Sequence, residues 1–223
     1  MSTGDPICPI CGDYFRGGDH PKCQRLYQLR EDAQVWIQPK PKRGVLWKSK
    51  CYLFGNLQDI SAEEAVSWRA YFQEQVKEIG IVCLNPLDKV FRNFGKEGKD
   101  FQRRMFDLLD KGDVQTVHEE MRAVRRRDLA QIDFSNCLVG VLNTEAKTYG
   151  VIEELSLAER SQKPIYLVVK PTVRQVPLWI AGMLDPSCIY SNLDDVITDL
   201  KLIDSGTKQV SNDNWRIFEE EYL

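Results

Sequence analysis

Two groups of residues in this 223-residue chain have types and spacings suited to chemistry. The first is Cys8, Cys11, His20 and Cys23, spaced as C-x2-C-x8-H-x2-C. Four soft ligands in that pattern suit a closed tetrahedral zinc site. Metal binding would fold a segment too small to bury a core of its own. With all four positions taken by protein, the expected Zn2+ is structural, and no organic cofactor is implied. An unmetallated tail is the alternative. A redox Cys-x-x-Cys is another, although that motif normally opens a helix after a strand.

The second group lies in Thr148-Tyr149-Gly150 and Glu153-Glu154, preceded by Arg127-Asp128-Leu129. Gly150 opens a helix directly after a strand and loop, where glycine lets a ligand approach the backbone closely. The free N–H groups of that helix start suit an anion such as phosphate, and Thr148 adds a hydroxyl. Glu154 lies one turn in and can face the same crevice. Asp128 lies toward the far end of the preceding helix and can face it too. Two carboxylates converging on one cleft are the usual arrangement for glycosyl transfer through an oxocarbenium-like transition state. Most charged residues on helices are simply solvated, however, and either Glu153 or Glu154 could point inward. His118, in a polar helical stretch, reads as solvated, as do the basic runs at 40–50 and 122–127. Trp179 and Tyr166 read as core residues.

The elements that must position these groups follow from periodicity. Cys51-Tyr52-Leu53-Phe54-Gly55 is a short apolar strand ending in a turn. Ser61 with Glu64 three residues later begins a helix. Ala65, Trp68, Phe72 and Val76 are expected on its inner face, and Gly80 stops it. Residues 81–84 form the next strand, closed by Asn85-Pro86. Residues 87–113 form either a long loop or short helices over a site. A helix is expected over 114–134, a strand over 137–142, a helix over 149–161 and a strand over 164–169. A short helix (177–184), a short strand (188–190) and a last helix (193–202) complete the chain. Continuously apolar strands alternating with helices predict an α/β, doubly wound, five-stranded parallel sheet of the Rossmann-like or flavodoxin-like kind. Ligands of such sheets sit at the carboxyl ends of the strands. There the chain carries Gly55-Asn56, Asn85-Pro86 and Asn143-Thr144. The expected organisation is a zinc-knuckle-like segment (1–24), a linker with alternating Lys and Pro (25–49), the α/β domain (50–205) and a tail (206–223).

The net charge is −3, so the chain as a whole lacks a nucleic-acid footprint. No apolar stretch approaches the ~20 residues of a membrane helix. The start MSTGDPICPICG has neither the basic nor the apolar region of a signal peptide. The seven cysteines are an odd number, and Cys51, Cys83, Cys137 and Cys188 fall inside apolar strands. A reducing, cytoplasmic location is therefore expected.

The segment around Thr148 and Glu154 resembles the Asp/Ser-x-Gly-x-x-x-Glu signature of the nucleoside 2-deoxyribosyltransferase and nucleoside 5′-monophosphate N-glycosidase family. In register, Glu154 falls on the nucleophilic glutamate, Ala158 on a small residue and Asp128 on the active-site aspartate. Tyr52-Leu53-Phe54-Gly55 is similar to that family's first strand, whose tyrosine contacts the glutamate. Trp68-Arg69 and residues 80–87 resemble a helix–strand unit of one branch. The likeness spans roughly 150 residues in order. It implies double displacement: Glu154 attacks C1′, Asp128 holds or protonates the departing base or positions the sugar, and Tyr52 orients the carboxylate. Gly55, Asn56, Thr148 and Gly150 are the expected substrate contacts, with Gln58 a further candidate. Members acting on free nucleosides usually carry Asp where this chain has Thr148, and the monophosphate branch carries Ser. A hydroxyl donates to a phosphate that a carboxylate would repel, so a nucleoside 5′-monophosphate is the expected substrate. Ser156 departs from the family's glycine.

The expected function is thus hydrolysis of the N-glycosidic bond of a nucleoside 5′-monophosphate. The alternatives are 2-deoxyribosyl transfer and a degenerate, nucleotide-sensing binding module. The expected partners are the nucleotide or nucleoside, a second copy of the chain in a homo-oligomer, and a protein or nucleic acid met by the zinc segment.

Overall fold

The computed structural model describes residues 44–88, 99–147 and 149–209. The proposed zinc ligands Cys8, Cys11, His20 and Cys23, together with Thr148 and most of the tail, lie outside them. The chain divides into the units Met1–Lys42 and Arg43–Leu223, and the described residues belong to the second.

Five strands form one sheet: β1 (Lys50–Gly55), β2 (Val82–Leu84), β3 (Cys137–Asn143), β4 (Ile165–Lys170) and β5 (Ile189–Tyr190). Their order is β2-β1-β3-β4-β5, and every neighbouring pair is parallel. This is the expected doubly wound arrangement. Strand side chains alternate between faces. Cys51 and Leu53 join one apolar cluster, and Tyr52 and Phe54 join the other. The first cluster is closed by α1 (Ala62–Val76) and α6 (Leu193–Asp204) through Phe72, Val76, Val196 and Leu200. The second is closed by α3 (Val114–Phe134), α4 (Tyr149–Arg160) and α5 (Leu178–Met183) through Ile132, Leu155, Ala158 and Ile180. Each fully enclosed aliphatic or aromatic side chain contributes about 1.5–3 kcal/mol relative to an exposed one. Both clusters therefore hold the strand ends in register.

Local chemistry sets the helix limits. Ser61 accepts the Glu64 N–H at 3.0 Å and starts α1. A single 3-10 turn, Lys77–Ile79, then ends at Gly80, whose φ of 75° is costly for a side-chain-bearing residue. Asp113 accepts the Thr116 N–H and starts α3. At the other end of α3, the Lys163 ammonium donates to the carbonyls of Ile132, Asp133 and Ser135, each at 2.7 Å. That satisfies carbonyls left open at a helix end and complements its partial negative charge. Helix α3 is the element that carries Asp128. Within 87–113, the described part contains a real helix, α2 (Lys99–Asp110).

Three placements differ from the pattern seen in sequence. Residues 44–49, expected in the linker, belong to the domain. Leu46 is 1% exposed, and the Val45 and Leu46 N–H groups donate to the Asp204 carbonyl and carboxylate. Trp179, expected in the core, is 79% exposed, because the six-residue α5 buries Ile180. The buried stripe of α1 runs Ala65, Arg69, Phe72 and Val76, with Trp68 only partly enclosed. Tyr166 is buried as expected, and His118 is exposed.

Gly140 on β3 lies directly across from Phe54 on β1. A Cβ there would come within 2.4 Å of the Phe54 ring, which is fully enclosed. Gly140→Ala is therefore expected to cost about 1–3 kcal/mol, read as a lower urea midpoint at unchanged slope. A midpoint equal to wild type would show that Phe54 can move aside.

Candidate functional site

The chain passes from β1 outward to β2 on one side and returns to β3 on the other. The loops after β1 and β3 therefore diverge and leave a crevice at the carboxyl ends of these strands. A cavity of about 390 Å3 lies there, lined from β1 and its loop, from α2 and α3, and from the start of α4. Its polar floor includes Gly55, Asn56, Asp128 and Glu154, and Gln58, Gln102 and Lys147 also line it. Its wall is apolar, with Met105, Phe106 and Leu109 from α2 and Val117, Met121 and Val124 from α3.

Tyr52 is fully buried on the α4 side of β1, and its hydroxyl donates to Glu154 Oε1 at 2.7 Å. The two residues are 102 positions apart in the chain. The neighbouring Glu153 turns outward and pairs with Arg125 of α3, whose Nε donates to Oε2 at 2.8 Å. Of the two adjacent glutamates, Glu154 is therefore the one facing the cavity. Asp128 reaches the same cavity from α3. Its Oδ1 accepts from Arg127 Nε at 3.1 Å and Nη2 at 3.0 Å.

The remaining expected residues fall into distinct roles. Asn56 is 3% exposed. Its Oδ1 accepts the Asn143 N–H at 2.7 Å, and its Nδ2 donates to the Lys147 carbonyl at 3.1 Å. The side chain thus clamps both ends of the loop after β3, while the residue also lines the cavity. Gly55 has φ 153°, and a Cβ there would meet the Val141 carbonyl oxygen at 2.6 Å. Only glycine lets β1 end this close to β3. At Gly150 a Cβ would meet nothing within 4 Å, so the protein's own packing does not require glycine there. Among the described residues no group of three or more His, Cys, Asp or Glu has the geometry to hold a metal ion.

Electrostatics set the two carboxyls apart from ordinary ones. Burial pushes Glu154 up from 4.5 to about 7, and the Asp128 and Glu153 charges push the same way. The Tyr52 hydroxyl and the Arg69 guanidinium oppose that rise. Asp128 is also raised, by burial, against the pull of Arg127. Burial, followed by the Glu154 charge, drives the Tyr52 phenol well above its ordinary value, so it stays protonated and can donate. Burial thus favours the protonated form of both carboxyls, and of the two Glu154 is brought to about 7.

No family model matches this sequence, and no curated protein sequence matches it. Among solved structures, the fold is similar to that of a 2-deoxyribosyltransferase from the psychrotolerant bacterium Bacillus psychrosaccharolyticus. That enzyme has been described as a biocatalyst for the synthesis of antiviral and antitumoral nucleosides. The identity is 21%, the match covers 67% of this chain and 90% of the other, and the TM-score is 0.43.

One functional candidate was missed in sequence. Arg69 is 1% exposed, on the inner face of α1. The signal was available: positions 65, 69, 72 and 76 keep helical spacing, and placing Trp68 on the stripe displaced the arginine from it.

Proposed function

We propose that this domain breaks the N-glycosidic bond of a nucleoside or nucleoside 5′-monophosphate through a covalent glycosyl-Glu154 intermediate. The observation that carries this reading is Glu154, held by Tyr52 at 2.7 Å, sharing a cavity with Asp128. Tyr52 occupies Oε1, which leaves Oε2 free to attack C1′. The C1′–Oε2 bond forms as the C1′–N bond breaks, and its electron pair leaves on the base nitrogen. A proton from Asp128 neutralises that base. In the second half, a water oxygen or the nitrogen of a second base attacks C1′, gives its proton to the Asp128 carboxylate and releases the Glu154 carboxylate. The reacting form needs Glu154 ionised, so activity should fall as pH drops through about 7.

The apolar wall of α2 and α3 favours transfer between bases over hydrolysis. It offers a planar base a surface that displaces water, and water is the competing acceptor. Hydrolysis of a 5′-monophosphate is the second reading. It is supported by Lys147 lining the cavity beside the start of α4, where a phosphate would find backbone N–H groups.

A panel of ribo- and deoxyribonucleosides and their 5′-monophosphates, each with and without an added free base, tests both readings. Transfer predicts a new nucleoside that appears only with the added base. Hydrolysis predicts free sugar, or sugar phosphate, and free base. Tight binding of one nucleotide with neither product would leave a binding module and remove the enzyme reading.

A further inference from the structure

Arg69 is the only charged residue so deeply enclosed among the described residues. Its hydrogen-bond partners are carbonyls rather than carboxylates. Nη1 donates to Ala65 O at 2.5 Å, Nε to Leu53 O at 3.4 Å and Nη2 to Gly55 O at 3.4 Å. The guanidinium carbon also lies 4.4 Å above the Trp68 ring. Two of the three bonds are long, and neutral dipoles compensate a buried cation only in part. Burial lowers the Arg69 pKa to about 10, while the Tyr52 and Glu154 charges push it back up. The group is therefore a cation at neutral pH, and the acidic groups it senses are those two.

The backbone shows how the cation reaches this place. Leu53 and Gly55, whose carbonyls it grips, follow Tyr52 along β1. Gly55 also lines the cavity. A Cβ on Gly55 would lie 3.3 Å from the Trp68 ring and 3.4 Å from Arg69 Nη2. The bare backbone at Gly55 leaves room for both side chains against the end of β1.

We propose that Arg69 is a positioning residue for Glu154: it anchors the end of β1 from which Tyr52 holds the carboxylate, and it supplies the internal positive charge that favours the ionised, attacking form. This rests on Glu154 being the nucleophile. The charged and hydrogen-bonding groups that bear on Glu154 come from several elements. Tyr52 on β1 and Arg69 on α1 favour its ionisation, while Asp128 on α3 and Glu153 on its own helix oppose it. Arg127 and Arg125 pair with those two opponents, and Lys147 lines the same cavity. Without Arg69, the Tyr52 hydrogen bond would be the main force left holding the charge.

The test is a carbon-13 NMR titration of glutamate-labelled full-length protein, with the Glu154 signal assigned by its loss in Glu154→Gln. Arg69→Met is expected to raise the Glu154 midpoint by about one pH unit, while Arg69→Lys keeps it near wild type. The acid limb of kcat/KM should move by the same amount. A merely structural arginine would change the melting temperature and leave the midpoint in place, and that result would overturn the proposal. If Arg69→Met does not fold, the double variant Arg69→Met/Glu154→Gln decides. Folding restored by removing the Glu154 charge supports the coupling, and failure of both overturns it. Because the titration needs no turnover, a shifted midpoint without glycosyl activity would sink the nucleophile and leave the electrostatic link standing.

Discussion

Glu154→Gln is expected to lower kcat/KM by at least about 10^3-fold while making the folded protein more stable above neutral pH. The activity loss follows from the chemistry. An amide oxygen is a poor nucleophile and forms no stable glycosyl ester. The geometry survives the change, because Tyr52 can donate to the amide oxygen as it does to Oε1 at 2.7 Å. The stability gain follows from linkage. Burial raises Glu154 from 4.5 to about 7 in the folded state. Below about 4.5 both folded and unfolded chains hold the proton, and the charge costs nothing. Between 4.5 and 7 the unfolded chain releases a proton that the folded chain keeps, so wild-type stability declines as pH rises. Above 7 the full penalty applies, at most about 3 kcal/mol and closer to about 2 once solvent in the cavity is allowed for. Glutamine removes that penalty. Melting temperatures of the two proteins at pH 4.5 and pH 8.5 check this. The difference should be small at the lower pH and favour the variant at the higher. A variant that is active, or equally stabilised at both values, contradicts the assignment.

Asp128→Asn is expected to lower kcat/KM by about 10^2–10^4-fold, with the size set by the leaving base. A departing base that needs a proton suffers most. One that leaves readily as an anion suffers little. A general acid alone gives that dependence, whereas a residue that only positions the sugar would lower all substrates alike. The substitution keeps Oδ1 as an acceptor for Arg127, so the local hydrogen bonds can persist. It also removes a negative charge that raises Glu154. The acid limb of the pH profile should therefore move below about 7. Rates for substrates graded by leaving-group acidity, measured across pH 5–9, check both parts. A uniform loss with an unmoved acid limb would reassign Asp128.

Much of the frame was legible in the chain because its signals are local. Apolar runs such as Cys51–Phe54 and Ile165–Val169 can be satisfied only inside a sheet covered on both faces. Ser61, Asp113 and Gly80 start and stop helices through bonds that reach no further than four residues. Glu154 and Asp128 were recognisable as candidates because one follows a glycine at a helix start and the other lies on the preceding helix.

What the chain pattern left open was decided by contacts between distant segments. Periodicity could not choose between Glu153 and Glu154. Arg125, 28 residues away, pulls the first outward, and Tyr52, 102 residues away, holds the second inward. Asn56 looked like a substrate contact and became also a clamp on the loop beyond β3, because its partners at 143 and 147 arrive only when β1 and β3 pair. With Trp68 placed on the inner stripe of its helix, the pattern leaves Arg69 off it. Its burial depends on three carbonyls and an indole that the fold gathers around it. Local pattern is enough to set the strands, the helices and the presence of two acidic groups near a helix start. Which carboxylate faces the cavity, and what holds it there, depends on contacts made only in the folded chain, because a side chain's direction and charge state are set by partners far away in sequence.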